Sequence, residues 1–338
     1  MTSRPLTDLA TLRPSLDGPF ESDIVLYAAD TPNTWKVAAV LEELNVQYDV
    51  VFMDMMTNMQ KDPSYLALNP NGRMPTLVDR SFPEDPFVVF ESGAIIQYLC
   101  RKYPTEGGGA LAGLDDPRAM SEVEQWVMWQ VSGLGPMTGQ AMYFKRIASP
   151  VMEDQDALKF SIQRYEAEAL RLMHVLESRL AAQKEMKSSL DRPMSLSLSG
   201  GRHSSSGSEA CYLVGNRLTL ADIACYGYAA CHWWTGISEQ VKEEMPHVEA
   251  WLELLGGRAS LQAAFRVPGI APIPGAPTFA ELFVLDTVWQ AKLEEHAKAA
   301  GRPHFGWRDL SELCKKDGDD AGPTLFQADI ESINENKG

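Results

Sequence analysis

A short apolar run, Asp23-Ile24-Val25-Leu26-Tyr27, is followed within four residues by Thr31-Pro32-Asn33, and then by Trp35, Val37, Ala38, Val40, Leu41 and Leu44 at helical spacing. The switch from strand formers to a 3.6-residue period predicts a strand that turns directly into a helix, the opening unit of an open α/β sheet. Asn33 then falls near a helix N-terminus, where free N–H groups and the helix dipole favour an anion such as a thiolate by up to about 2 kcal/mol. A side-chain hydrogen bond from Thr31 or Asn33 to a charged sulfur adds roughly 1.5–3 kcal/mol. One pKa unit is about 1.4 kcal/mol, so the two effects bring a thiol from about 8.5 into the neutral range. Read alone, the tripeptide is also a turn and a helix cap.

Two further strings sit at comparable junctions. Leu68-Asn69-Pro70-Asn71-Gly72-Arg73-Met74-Pro75-Thr76-Leu77-Val78-Asp79 combines an Asn-Gly turn with a proline at the head of a strand, which predicts a cis Met74–Pro75 bond and an exposed Met74 backbone. An extended peptide can pair there as an added strand, and Arg73 or Gln60 suits its terminal carboxylate. The bland alternative is a hairpin turn with an exposed arginine. Phe90-Glu91-Ser92-Gly93-Ala94-Ile95 opens another helix, supplying a carboxylate for an ammonium and a hydroxyl for a carboxylate, or else a plain N-cap.

Taken in chain order, these residues resemble the glutathione S-transferase superfamily. Thr31-Pro32-Asn33-Thr34-Trp35-Lys36-Val37, Asn69 to Pro75, and Trp126-Val127-Met128-Trp129-Gln130-Val131-Ser132-Gly133-Leu134-Gly135-Pro136-Met137 look like its nu-class, yeast nitrogen-regulator-like subgroup, from about Asp23 to Phe265. The resemblance implies an α/β thioredoxin-like N-terminal domain, then an all-α helical-bundle C-terminal domain, in a two-fold homodimer, with glutathione as cofactor. It implies Thr31 and Asn33 near the glutathione sulfur, Met74 (before Pro75) on the cysteinyl backbone, and Glu91 and Ser92 on the γ-glutamyl end. Gln60 and Arg73 fall near the glycyl end, and Arg164 matches an arginine that reaches across the dimer. Thr34 stands where the subgroup usually has glycine, adding a side chain close to the sulfur.

The chain divides into an N-terminal extension (1–22), the glutathione-binding domain (23–104), a helical domain (117–265) and a C-terminal extension (266–338). Within the helical domain, Gly133, Gly135 and Pro136 are expected to bend a long helix, from about Arg118 to Ile147. The bend angles Met137, Gln140, Tyr143 and Phe144 toward the sulfur as an apolar wall for a second substrate; the alternative gives them to the core or a dimer interface. Thr219-Leu220-Ala221-Asp222 reads as a structural capping box. The Ser/Gly-rich stretch 184–209 is expected as a disordered loop. In the extension, a Pro-rich linker leads to a helix at about Phe279 to Ala300 whose Leu282, Leu285, Val288, Trp289 and Leu293 share a face that must be covered: packing on the helical domain is the first expectation, covering the substrate cleft or meeting a partner the alternatives.

A chain of 338 residues is long enough for two domains, and its formal charge of -16 argues against nucleic acid and anionic membrane surfaces as partners. No run approaches the roughly 18 apolar residues of a membrane span, and with no targeting pattern in residues 1–20 a cytoplasmic location is the default expectation. The five cysteines show no Cys-x-x-Cys pair and none opens the first helix, so inert packing is expected, at Cys100 and Cys225 above all. The histidines have no metal-ligand spacing, and no metal is expected. The expected function is a glutathione-dependent transferase or cis–trans isomerase in secondary metabolism, the glutathione thiolate adding to a small, apolar, conjugated electrophile. A glutathione-dependent disulfide reductase and a non-catalytic glutathione-binding regulator are the alternatives.

Overall fold

The computed structural model describes residues 10–13, 18–55, 57–149, 152–190, 211–269 and 287–302, with 304, 312 and 313. Strands β1 (Ala10–Arg13), β2 (Ile24–Ala28), β3 (Tyr48–Phe52), β4 (Thr76–Asp79) and β5 (Phe87–Phe90) form one mixed sheet in the order β1-β3-β2-β4-β5. The central β2 runs parallel to β3 and antiparallel to β4, and every one of its residues is buried. A strand covered on both faces needs an unbroken apolar run, which Ile24-Val25-Leu26-Tyr27-Ala28 is. β1 adds a fifth strand, parallel to β3, inside what reads from sequence as an extension.

Helices α1 (Pro32–Glu43) and α3 (Ser92–Lys102) pack with the sheet, and α2 (Pro63–Leu68) lies before β4. The bundle follows: α4 (Gly109–Ala112), α5 (Pro117–Trp129), α6 (Gly135–Met142), α7 (Gln155–Leu190), α8 (Leu220–Ala230), α9 (His232–Thr235), α10 (Ser238–Glu244), α11 (Pro246–Gly256) and α12 (Ala259–Ala264). The architecture is the expected one, a thioredoxin-like sheet domain and an all-helical domain. Its halves share a core, because α1 lies between the sheet and helices α8 and α12. Trp35 of α1 meets Phe265 with ring centroids 4.7 Å apart, and Phe265 stacks on Tyr226 of α8 at 5.5 Å. Rings buried in this way stabilise by roughly 1.5–3 kcal/mol each.

Three local expectations can be set against the structure. The long helix is interrupted next to Gly133 and Gly135, as expected: α5 and α6 join through a π turn, Gln130–Leu134, with helical dihedrals at Gly135. The polar stretch after Lys184 begins inside α7, which continues to Leu190; residues 191–210 lie outside those described. The C-terminal helix α13 covers Thr287–Ala299, so Leu282 and Leu285 also lie outside. Its Leu293 and Ala297 are buried in the shared core, and Glu294 accepts a hydrogen bond from Trp233 Nε1 at 3.2 Å, so α13 packs on the helical domain as expected.

Candidate functional site

The turn after β2 places Thr31 as the N-cap of α1, its hydroxyl accepting from the Thr34 N–H at 3.4 Å, with Pro32 preset for the first helical position. Thr34 is fully buried and its hydroxyl accepts from Thr31 Oγ1 at 3.4 Å, so the side chain expected beside the sulfur is turned into the protein. Asn33, half-buried, is left to face the cleft.

Asn33 belongs to a polar cluster drawn from both domains. Its Oδ1 accepts from Ser92 Oγ at 3.3 Å and from Lys36 Nζ at 3.3 Å. Lys36 also donates to Ser92 Oγ at 3.0 Å and to Gln130 Oε1 in the π turn. Oδ1 is thus committed to two donors, which fixes the amide with Nδ2 on the other side. There it meets Tyr228 of α8, whose hydroxyl burial and Cys231 push up, while the Asn33 hydrogen bond and Arg73 pull it down. The approach is close. A Cβ on Gly135 would lie 2.6 Å from Gln130 Nε2 and 3.3 Å from the Tyr228 ring, so any side chain there would press on the Gln130 amide.

The second string forms the neighbouring wall. Tyr65 Oη and Asn69 Nδ2 donate to the Arg73 carbonyl at 2.7 and 2.8 Å and both also bond to Thr76 Oγ1, clamping the loop against β4. The Met74–Pro75 bond is cis, as the sequence predicts, and pairing with β2 begins only at Thr76, leaving the Met74 backbone outside the ladder. Gly72 sits at φ 60°, where a Cβ would come within 2.8 Å of the Gln60 carbonyl. Gln60 Nε2 donates to Asn58 at 3.2 Å; its Oε1 is buried with no partner among the described residues. The Arg73 side chain is exposed.

Glu91 completes this wall. At φ 68° and ψ 113° it occupies the cap position of α3 without a side-chain cap bond, and Asn71 Nδ2 donates to its Oε1 at 3.3 Å. A non-glycine residue held there costs about 1–3 kcal/mol, and the outcome is a carboxylate aimed out of the helix beside the buried Ser92. Thr31, Asn33, Met74, Glu91 and Ser92 therefore converge at one end of the sheet.

The other expected residues lie differently. Met137 is partly buried against the main core and Gln140 is exposed. Tyr143 and Phe144 pack with Leu158 and Ile162 of α7, and Phe144 stacks on Tyr165 at 5.5 Å. Arg164 is exposed and 3.8 Å from Glu168. Cys100, Cys211, Cys225 and Cys231 are all buried; burial pushes Cys100 up to about 12, and Cys225 and Cys231 higher. Sequence reasoning missed Lys36, Gln130, Tyr228 and Asn71 as parts of the site. Lys36 did leave a trace, as a lone cation within the apolar run Trp35 to Leu41, three residues from Asn33 and so on its face.

Glutathione S-transferase N-terminal domains match residues 22–101, and the family's C-terminal domains match 201–258. The transcriptional regulator URE2 of Saccharomyces cerevisiae is 32% identical over 257 residues, 73% of this chain and 69% of that protein. Among solved structures, Ure2p in complex with S-p-nitrobenzylglutathione is 30% identical with a TM-score of 0.62, over 74% of this chain and 96% of that one. A glutathione transferase from Pseudomonas putida, with one glutathione disulfide bound per subunit, is 26% identical with a TM-score of 0.60, over 75% and 95%. With the family's two domains matched in order and a relative aligned over most of both chains, this chain belongs to the glutathione S-transferase family, among its Ure2-like members.

Proposed function

We propose that this chain binds glutathione in the cleft that Asn33, Met74, Glu91 and Ser92 line, and that it is an enzyme acting on a small, apolar, conjugated electrophile. The convergence of these groups carries the reading. Glu91 meets the γ-glutamyl ammonium, Ser92 and the first turn of α3 its carboxylate, and the free Met74 backbone the cysteinyl segment. Gln60 and Arg73 stand at the glycyl end, and the exposed Arg73 guanidinium suits its carboxylate. Bound glutathione supplies a thiol in the cleft, whereas the four cysteines among the described residues are all buried. Thr31 and Asn33 hold its proton-free form at the head of α1, with Tyr228 across the cleft. Met137, three residues beyond Leu134, borders the space for the second substrate in this reading, with Gln140 further along α6 and Tyr143 and Phe144 just past its end. Phe87 and Phe90, exposed on edge strand β5, support a two-fold dimer, across which Arg164 reaches. Among the described residues no helix is long and apolar enough to cross a membrane.

The reaction type is read from one experiment, a conjugated enone or polyene incubated with limiting glutathione and followed by mass spectrometry. Full conversion to a product of unchanged mass identifies an isomerase, and a conjugate heavier by one glutathione identifies a transferase. Oxidation of two glutathiones to glutathione disulfide as added 2-hydroxyethyl disulfide is reduced to two 2-mercaptoethanols, with no activity on the conjugated substrates, overturns the reading in favour of a reductase. The disulfide bound to the Pseudomonas putida relative makes that the second reading. Glutathione binding without turnover in any assay would favour the regulator, as the likeness to URE2 allows.

Asn33→Ala is expected to raise the thiol pKa of bound glutathione by about one unit, the equivalent of one modest hydrogen bond to the sulfur. Thiolate absorbance against pH measures it. An unmoved titration would transfer the role to the backbone N–H groups of α1.

A further inference from the structure

Lys36 stands one turn into α1 and is 2% exposed. Its hydrogen bonds go to three neutral oxygens, Asn33 Oδ1 at 3.3 Å, Ser92 Oγ at 3.0 Å and Gln130 Oε1, from three separate elements. None of the ion pairs among the described residues includes it. An ammonium has three N–H groups and here meets three acceptors, so the set is matched to the charged form. Charge without a counter-ion is nonetheless costly in the interior. Burial accordingly lowers Lys36 from 10.5 to about 7, against the pull of Cys225 on α8 and Glu91 at the head of α3, the two titratable groups that face it. Cys225 is itself kept neutral by burial, and Glu91 is exposed and directed outward.

Two of the three acceptors are the side chains that, in the glutathione reading, meet the ligand's negative groups: Asn33 the sulfur and Ser92 the γ-glutamyl carboxylate. We propose that Lys36 is a positioning residue whose counter-charge is the ligand, its ammonium orienting the Asn33 amide and the Ser92 hydroxyl while the anion bound beyond them supplies the missing negative charge. This rests on the glutathione reading and deepens it. Loss of the proton would leave two N–H groups for three acceptors and free Ser92 to turn its hydroxyl toward the amine, away from Asn33.

The sign of the pH dependence follows. In the free protein Lys36 is about half charged near pH 7; an anion stabilises the charged form and raises its pKa, so binding takes up a proton. Affinity is then greatest below pH 7 and declines as the pH rises toward the bound-state value.

S-methylglutathione tests this, because it keeps both carboxylates and has no thiol to titrate. Calorimetry at pH 7 in buffers of different ionisation enthalpy is expected to show uptake of about half a proton by the unmodified protein, and a dissociation constant about fivefold weaker at pH 8.0 than at pH 6.5. Lys36→Met is expected to bind at least tenfold more weakly at pH 6.5, with no proton uptake at pH 7 and a flatter profile; the ligand's own amine titrates alike in both. Binding without proton uptake by the unmodified protein overturns the inference whether or not the variant folds, and so does a Lys36→Met protein with unchanged affinity and profile. Failure of the unmodified protein to bind S-methylglutathione or glutathione at all would overturn the glutathione reading itself.

Discussion

Asp222→Ala is expected to cost about 4 kcal/mol of folding stability, at the top of the range for single substitutions. The carboxylate, in the first turn of α8, is fully buried and gathers four donors: the Leu213 N–H at 2.8 Å, the Thr219 N–H at 3.0 Å, Thr219 Oγ1 at 3.1 Å and Trp251 Nε1 at 3.0 Å. Burial pushes its carboxyl up to about 6 while all four bonds pull it down, so at pH 7.5 the group is largely ionised and acts only as an acceptor. Alanine strands four donors in the interior, each costing about 1–3 kcal/mol, with partial relief as Thr219 finds other partners. Thr219→Ala, which removes the N-cap and spares the other bonds, is expected to cost about 1 kcal/mol. Denaturant unfolding at pH 7.5 separates the two. If Asp222→Ala falls within 1 kcal/mol of Thr219→Ala, Asp222 is no more than a helix cap.

The same pair illustrates what a sequence can carry. Thr219-Leu220-Ala221-Asp222 announces a capping box because its chemistry is local, four residues satisfying each other's backbone. The Leu213 and Trp251 bonds, which make Asp222 expensive to lose, come from 9 and 29 residues away and leave no mark on the tetrapeptide. The proposed cleft divides likewise. Asn33, Met74, Glu91 and Ser92 could be singled out because each sits at a strand or helix junction that the local pattern marks and to which the family resemblance assigns a role. Lys36 was legible only as an odd cation in an apolar stretch; that its ammonium meets Ser92 and Gln130, 56 and 94 residues on, is a product of tertiary packing. Thr34 was read as adding a side chain close to the sulfur because it stands where the resembled subgroup usually has glycine, yet helical geometry turns consecutive side chains about 100° apart, and its face is the buried one. Strand β1 has only four residues and no long apolar alternation, so it offered the sequence reading no period to detect.

Glu91→Ala is expected to weaken glutathione binding by about 2 kcal/mol, roughly 30-fold in the dissociation constant, with little change in folding stability. The backbone argument makes the site informative: alanine at φ 68° is strained much as glutamate is, so the substitution leaves the local conformational cost in place and removes mainly the carboxylate. That carboxylate is exposed and, among the described residues, is hydrogen-bonded by the Asn71 amide alone, at 3.3 Å, so the substitution removes one weak contact there. The bound state loses more, because the γ-glutamyl ammonium, withdrawn from water on binding, no longer has its charged partner. Glu91→Gln keeps the size and one acceptor, and should fall between the two in affinity. Glu91→Gly has the opposite signature: it relieves the backbone strain and raises stability while losing the ligand contact. Calorimetric titration with glutathione, paired with thermal unfolding of the same variants, resolves both effects. An unchanged dissociation constant for Glu91→Ala would move the γ-glutamyl end away from α3, and with it the placement of Ser92 and the anion opposite Lys36.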